Sequence, residues 1–396
     1  MASDLLEILP FFHPVQLDIL EPGAVYAANQ IGSMVSLISA HHPPDSERKQ
    51  EIVLLGVCDG RGSWINEGCE NAPDMVRRYF YKLFADRNQL KISDLGNIQK
   101  GHQIEDTWFV LSKAVNALIR TGKIPVVIGG GQELTYAIYK AYEQLEQVVN
   151  LVTIDPTFDL GNVNQENESD SFLGRIILHQ PNFLFNYSNL GYQTYLVDPE
   201  GIALMGKLFF DAYRLGWVRD NMEQVEPIVR NADVVSLDIS CVRYGEAPGN
   251  TNAGPNGFYG EEICQIARYA GLSDKLSCFG LFEVNPEFDI RGQTAQLAAQ
   301  ILWCFCEGVL NRKNDFPHPN SEGHIKYRVF LPESKHEIIF YKSKKSDRWW
   351  MAVPFPASKR SRYERHHLVP CHYLDYQLAC DAGMPDRWWQ TFQKLV

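Results

Sequence analysis

The sequence predicts an α/β fold, a mainly parallel sheet covered by helices on both faces, with a small β/α extension at the C-terminus. Three observations predict it. Short apolar runs alternate with segments of helical spacing from residue 51 to about residue 310. Several of these runs close on glycine, aspartate or glutamate. Beyond residue 311 the pattern changes to short strand-like runs without intervening helices. Alternating strands and helices imply parallel strands joined by helical crossovers. Such sheets take their ligands at the carboxyl ends of the strands.

The elements follow in order. Residues 1–50 form an N-terminal segment ending in the polar, proline-containing HHPPDSERKQ. EIVLLGVCDGRG (51–62) reads as a buried strand feeding a loop. NAPDMVRRYFYKLF and residues 106–121 have helical spacing. KIPVVIGGGQELTYAIYKAYE reads as strand, glycine turn and helix, and VVNLVTIDPTFDL as strand and loop. TYLVDPEG, ADVVSLDIS and LSCFGLFEVNP repeat the pattern, which closes a main domain over 51–310. NRKNDFPHPNSEGH is a turn-rich boundary. In the 311–396 extension, YRVFL, HEIIFYKS and RWWMAVPF are expected to pair as a small antiparallel sheet. YLDYQLACDAG reads as a last helix stopped by Gly383.

Bulk properties exclude several classes. The 396 residues suit one large core plus an appendage. Hydrophobic residues at 45% against 21% charged place the chain among globular proteins. A net charge of -11 argues against general nucleic-acid binding. No apolar run approaches the ~18 residues of a membrane span. The start, MASDLLEILPFFHP, lacks a signal-peptide pattern, so a cytoplasmic location is expected. Nine cysteines without a C-x-x-C pair read as reduced core thiols. Between Tyr341 and Arg365 stand eight Lys or Arg against two acidic residues. That is either a solvated basic face or a patch for an acidic protein partner of residues 311–396.

Four strand ends carry polar groups. They are Gly129-Gly130-Gly131-Gln132-Glu133, Asp155-Pro156-Thr157-Phe158-Asp159, Ser236-Leu237-Asp238-Ile239-Ser240 followed by Ala247-Pro248-Gly249, and Glu283-Val284-Asn285-Pro286. Alone, each is a turn or a helix cap. In this order they resemble the signature of the arginase–agmatinase–formimidoylglutamase (ureohydrolase) family. GVCDGRG and ENAPDMVR add to the likeness, and SDSFLGRII and FNYSNLGYQ resemble the formimidoylglutamase branch.

The resemblance implies a three-layer α/β/α fold and two manganese ions sharing a hydroxide that attacks a guanidinium or formimino carbon. Homo-oligomers are common in the family, so assembly with copies of itself is expected. The six ligand positions it implies fall here on Gln132, Asp155, Thr157, Asp159, Asp238 and Ser240. Asp155, Asp159 and Asp238 are retained; the two histidines are Gln132 and Thr157, and the last aspartate is Ser240. Glu283 stands where the family has a glutamate near the substrate, here vestigial or substrate-contacting. His179, the sole histidine between residues 103 and 317, reads as structural. Converging aspartates without a cation repel one another, so at least one carboxyl should hold a proton or a cation. The expected cofactor is therefore none or one divalent cation, Mn²⁺ or Mg²⁺, and a two-manganese cluster is not expected. Two functions compete: a ureohydrolase-fold pseudoenzyme that binds a ligand or partner, and an active linear-amidine hydrolase with an atypical, mononuclear site.

Overall fold

The computed structural model describes residues 7–23, 25–39, 51–86, 89–161, 168–318, 322–332, 336–356, 358 and 363–395. The loop at 41–50 and part of the 311–324 boundary lie outside them. The apolar runs become the middle of a ten-stranded sheet. Its strands are β1 (Phe12–His13), β2 (Ser36–Leu37), β3 (Ile52–Cys58), β4 (Ile92–Gln99), β5 (Ile124–Ile128), β6 (Val149–Ile154), β7 (Leu184–Tyr192), β8 (Asp211–Arg214), β9 (Val234–Asp238) and β10 (Cys278–Phe282). They lie in the order β1-β4-β3-β5-β10-β9-β6-β7-β8, with β2 also paired to β4. All pairs are parallel except β1 with β4. Helices pack both faces. One core gathers Phe279, Ile301 and Phe305, and the other Val53, Leu111 and Ile138. Each such apolar side chain contributes about 1.5–3 kcal/mol when taken out of water. The N-terminal segment supplies β1 and β2 to the sheet edge.

Two strands depart from the sequence expectation. TYLVDPEG is not a strand: Tyr195 is exposed, and Asp198 caps the helix Pro199–Lys207 through Glu200 N at 2.8 Å. The strand is the preceding LFNYSNLGY, whose Asn189 is buried because its amide donates to Thr157 O at 2.8 Å. β4, ISDLGNIQ, looks polar yet is buried. Arg77, on the helix Ala72–Phe80, neutralises its Asp94 with Nε at 2.7 Å and Nη2 at 2.9 Å. A paired, bidentate carboxylate of this kind can be taken out of water.

The extension forms a second sheet of four antiparallel strands, β11 (His324–Leu331), β12 (His336–Ser343), β13 (Trp349–Ala352) and β14 (Leu368–Cys371). Helices Tyr373–Cys380 and Asp386–Leu395 follow. Its core of Ile338, Phe340, Met351 and Trp388 is its own. It nevertheless docks on the main sheet through buried polar contacts. Arg365 Nη2 pairs with Asp233 at 2.8 Å, and His366 Nε2 lies 3.1 Å from Val148 O. Arg230 donates to Trp349 O at 3.1 Å with its guanidinium 4.4 Å from the Trp350 ring centre. Arg348 reaches Glu226 at 3.1 Å. Arg348 and Arg365 of the basic 341–365 stretch thus pair with the main domain, and Lys342 pairs with Asp347 at 2.8 Å; Lys359, Arg360 and Arg362 of that stretch lie outside the described residues. Among the described residues no helix is long and apolar enough to cross a membrane.

Candidate metal and substrate site

The carboxyl ends of β5, β6, β9 and β10 surround a cavity of about 490 Å³. Gly129 and Gly130, at φ 85° and 73°, turn the chain sharply after β5 and deliver Gln132. An added Cβ at Gly130 would stand 2.9 Å from Asp59 O, so the turn requires glycine. Two non-glycine site residues also adopt left-handed backbone, Asp159 at φ 49° and Glu283 at φ 67°. Each such conformation costs about 1–3 kcal/mol and is held by its surroundings.

The six ligand positions suggested by the sequence come together here. Thr157 Oγ1 sits 2.9 Å from Asp155 Oδ1 and 2.7 Å from Asp159 Oδ1. A hydroxyl has one proton to give, so one of these contacts needs a proton on the carboxyl. Burial, and then the charge of Asp155, push Asp159 well above the usual carboxylate range. Of the two carboxyls, Asp159 is the one pushed further toward its protonated form. Burial raises Asp155 as well. Asp238 is pushed well up by burial, then by Asp155 and Glu283, although Ser240 N donates to its Oδ1 at 2.7 Å.

Two acceptors in this cluster are left over. Gln132 Oε1 and Asp155 Oδ2 are buried without a hydrogen-bond partner. Unpaired acceptors beside three aspartates are costly by themselves and suit a hard cation with oxygen ligands. Among the described residues, however, no three His, Cys, Asp or Glu side chains are grouped to hold an ion by themselves. Thr157 Oγ1 bridges Asp155 and Asp159.

Glu283 is differently placed. Its Oε2 accepts from Ser63 Oγ at 2.9 Å and Asn66 Nδ2 at 2.7 Å; its Oε1 accepts from Gln132 N at 2.9 Å and from Ser169 Oγ. Burial raises its pKa and these four donors offset part of that rise. It lines the cavity but is fully engaged by its own chain. Ser63, Asn66 and Ser169 were not singled out from the sequence, because small polar residues in loops carry no spacing signal. Glu133 was also passed over. It is 1% exposed, neither carboxyl oxygen has a partner, and burial followed by Glu283 pushes it well up. A Cβ at Gly62 would stand 2.1 Å from its carboxyl carbon, so glycine there makes the room for it. His179 lies apart from the cluster, bonded to Tyr136 Oη at 3.1 Å and Glu143 at 3.2 Å.

The cavity lining is acidic. Asp159, Asp170, Asp198, Asp238 and Glu283 line it, and none of its described lining residues is Lys, Arg or His. The neighbouring segment 162–167 contains none of these either. Carboxylates facing one space with no basic side chain make a site for cations.

A model of the Arginase family matches residues 50–307. The formimidoylglutamase of Streptococcus gordonii is 28% identical over 273 residues, covering 64% of this chain and 82% of the relative. That of Corynebacterium efficiens is 26% identical over 290 residues, covering 68% and 88%. Among solved structures, Trypanosoma cruzi formiminoglutamase with Mn²⁺ superimposes at TM-score 0.64 with 18% identity, over 72% of this chain and 99% of that one. Bacillus subtilis formimidoylglutamase gives 0.64 and 18%, over 78% and 100%. These structural likenesses concern the fold.

Proposed function

Because the chain belongs to the arginase family, we propose that it is a formimidoylglutamase-like hydrolase of linear amidine C–N bonds that works with one divalent cation. The observation that carries this reading is the pair of orphaned oxygens, Gln132 Oε1 and Asp155 Oδ2, beside Asp159 and Asp238. Those four residues would hold the ion, Mn²⁺ or Mg²⁺. When bound there, it would supply a water of lowered pKa and a positive charge facing the amidine. As a ligand, Asp159 would have to be ionised and released from its Thr157 contact. Ser240 and Thr157, at positions that would serve a second ion, bring neutral hydroxyls, which are poor ligands for one. Glu283, held from four sides, presents a fixed acceptor to the substrate.

The lining also speaks to the substrate class. A cationic amidine meets a lining of acidic side chains with no described basic one, whereas a glutamate-bearing amidine brings two carboxylates of its own to it. A cationic, carboxylate-poor amidine such as agmatine is therefore the better match.

A second reading, ligand binding without hydrolysis, is favoured by one observation: the Thr157 hydroxyl occupies oxygens of both Asp155 and Asp159 that an ion would need. Metal content after incubation with Mn²⁺, combined with urea, formamide or ammonia release from agmatine, arginine and formimidoylglutamate, separates the two. One ion per chain with turnover lost in Asp155→Asn supports the hydrolase. One ion without turnover on any substrate leaves the binding reading standing. Two ions per chain would overturn the single-cation site.

A further inference from the structure

Beyond the carboxyl ends of β7 and β8 lies a second cavity, of about 190 Å³, whose lining shares no residue with the acidic cleft. Its character is the opposite. Arg214, Arg219 and Arg243 line it together with Gln193, Tyr195 and Asn256, and no lining residue is acidic. In a chain of net charge -11, three guanidiniums around one small space call for an explanation.

Two of the three arginines are held in place. The Tyr259 ring has the Arg243 guanidinium 3.9 Å and the Arg219 guanidinium 4.7 Å from its centre. Stacking on an aromatic face orients a guanidinium without consuming its in-plane donors. Arg219 spends part of its charge on Glu262, at 2.9 Å. Among the described residues, Arg214 and Arg243 have no carboxylate partner. Arg243 Nε is buried and has no hydrogen-bond acceptor. A buried donor of a charged group left in this state costs free energy that an acceptor would recover. Neutral groups beside it are already ordered: Asn256 Nδ2 donates to Tyr195 Oη at 3.1 Å, and Tyr195 donates to Gln193 Oε1.

We propose that this pocket binds a small oxyanion, the phosphate or carboxylate group of a small molecule, on the forks of Arg243 and Arg214 with Arg219 at the rim. Planar guanidiniums match such groups through paired N–H donors. The volume holds a phosphate or a short dicarboxylate and falls below the ~300–1,000 Å³ of pockets that enclose larger ligands. The inference is independent of the chemistry assigned to the acidic cleft.

The test is calorimetric titration of the full chain with inorganic phosphate and, separately, with succinate, at constant ionic strength set by sodium chloride. Saturable binding of at least one probe is expected, weakened about tenfold or more in both Arg243→Gln and Arg214→Gln, the loss of one charge-assisted contact. Phosphate alone binding names a phosphate-bearing ligand, and succinate alone names a carboxylate. Arg214 is exposed, so its variant keeps the test available if Arg243→Gln does not fold. No saturable binding of either probe would overturn the proposal. So would binding that neither variant weakens, since that reports an anion held elsewhere.

Discussion

Replacing Asp238 by Asn probes the charge balance of the acidic cleft directly. Asp238 is 8% exposed, and burial, then Asp155 and Glu283, push its carboxyl well above the usual range. A group whose folded pKa is raised binds its proton more tightly in the folded chain. For an acid this means that the unfolded chain binds fewer protons between the two pKa values. Without a cation, stability is therefore highest at low pH and falls as pH rises above the ordinary carboxylate range. The slope is about 1.4 kcal/mol per pH unit for each such carboxyl. Asn keeps an oxygen for Ser240 N, now 2.7 Å from Asp238 Oδ1, and removes the charge. In EDTA near neutral pH the variant should be more stable than wild type, by about 1.4 kcal/mol for each pH unit over which the wild-type carboxyl keeps its proton. Its pH profile should be correspondingly flatter. Excess Mn²⁺ should narrow the difference: at one hundred times Kd the wild type gains about 2.7 kcal/mol, and the variant, short of a ligand, gains less. Urea unfolding between about pH 5 and pH 8, with and without Mn²⁺, measures both effects. A metal-free variant less stable than wild type at neutral pH, or a profile of unchanged slope, would refute the reasoning.

Three further outcomes are expected. Joint Thr157→His and Ser240→Asp substitution restores the two donors that the family resemblance assigns to a second ion alone, and Gln132→His restores the first ion's histidine, so in the triple variant manganese per chain should rise from one to two by elemental analysis. Truncation after residue 310 strips Asp233 of Arg365 and leaves the faces around Arg230 and Val148 uncovered; the shortened chain should melt several degrees lower in a thermal scan. Burial, then Lys275 and Arg365, hold the His366 imidazole well below its usual pKa. A lowered folded pKa means stability lost as pH falls below the unfolded value of ~6.5, so the urea midpoint should drop there and drop less in His366→Gln.

The middle strands and the four polar strand ends were legible in the sequence because their signals are local. An apolar run ending in Gly-Gly-Gly or Asp-Pro-Thr states its own geometry through side-chain volume and backbone preference. The substitutions at Gln132, Thr157 and Ser240 were equally plain, being matters of residue identity. β4 and β7 were not legible, because ISDLGNIQ and LFNYSNLGY bury polar groups whose partners lie far along the chain. Arg77 reaches Asp94 from another element, and no local pattern announces that pair.

The same distinction holds for function. The sequence by itself determined the parallel sheet, the arginase-type order of strand ends and the supply of three aspartates with three neutral neighbours. Only the tertiary structure decided how those groups share protons and donors. It set Thr157 between Asp155 and Asp159, enclosed Glu283 with four donors from three segments, and lined one cavity with acidic side chains and another with arginines. It also turned part of the basic 341–365 stretch inward onto Asp233 and Glu226. The reason is physical: charge and hydrogen-bond energies depend on distance and burial, and both are set by contacts between residues remote in the chain.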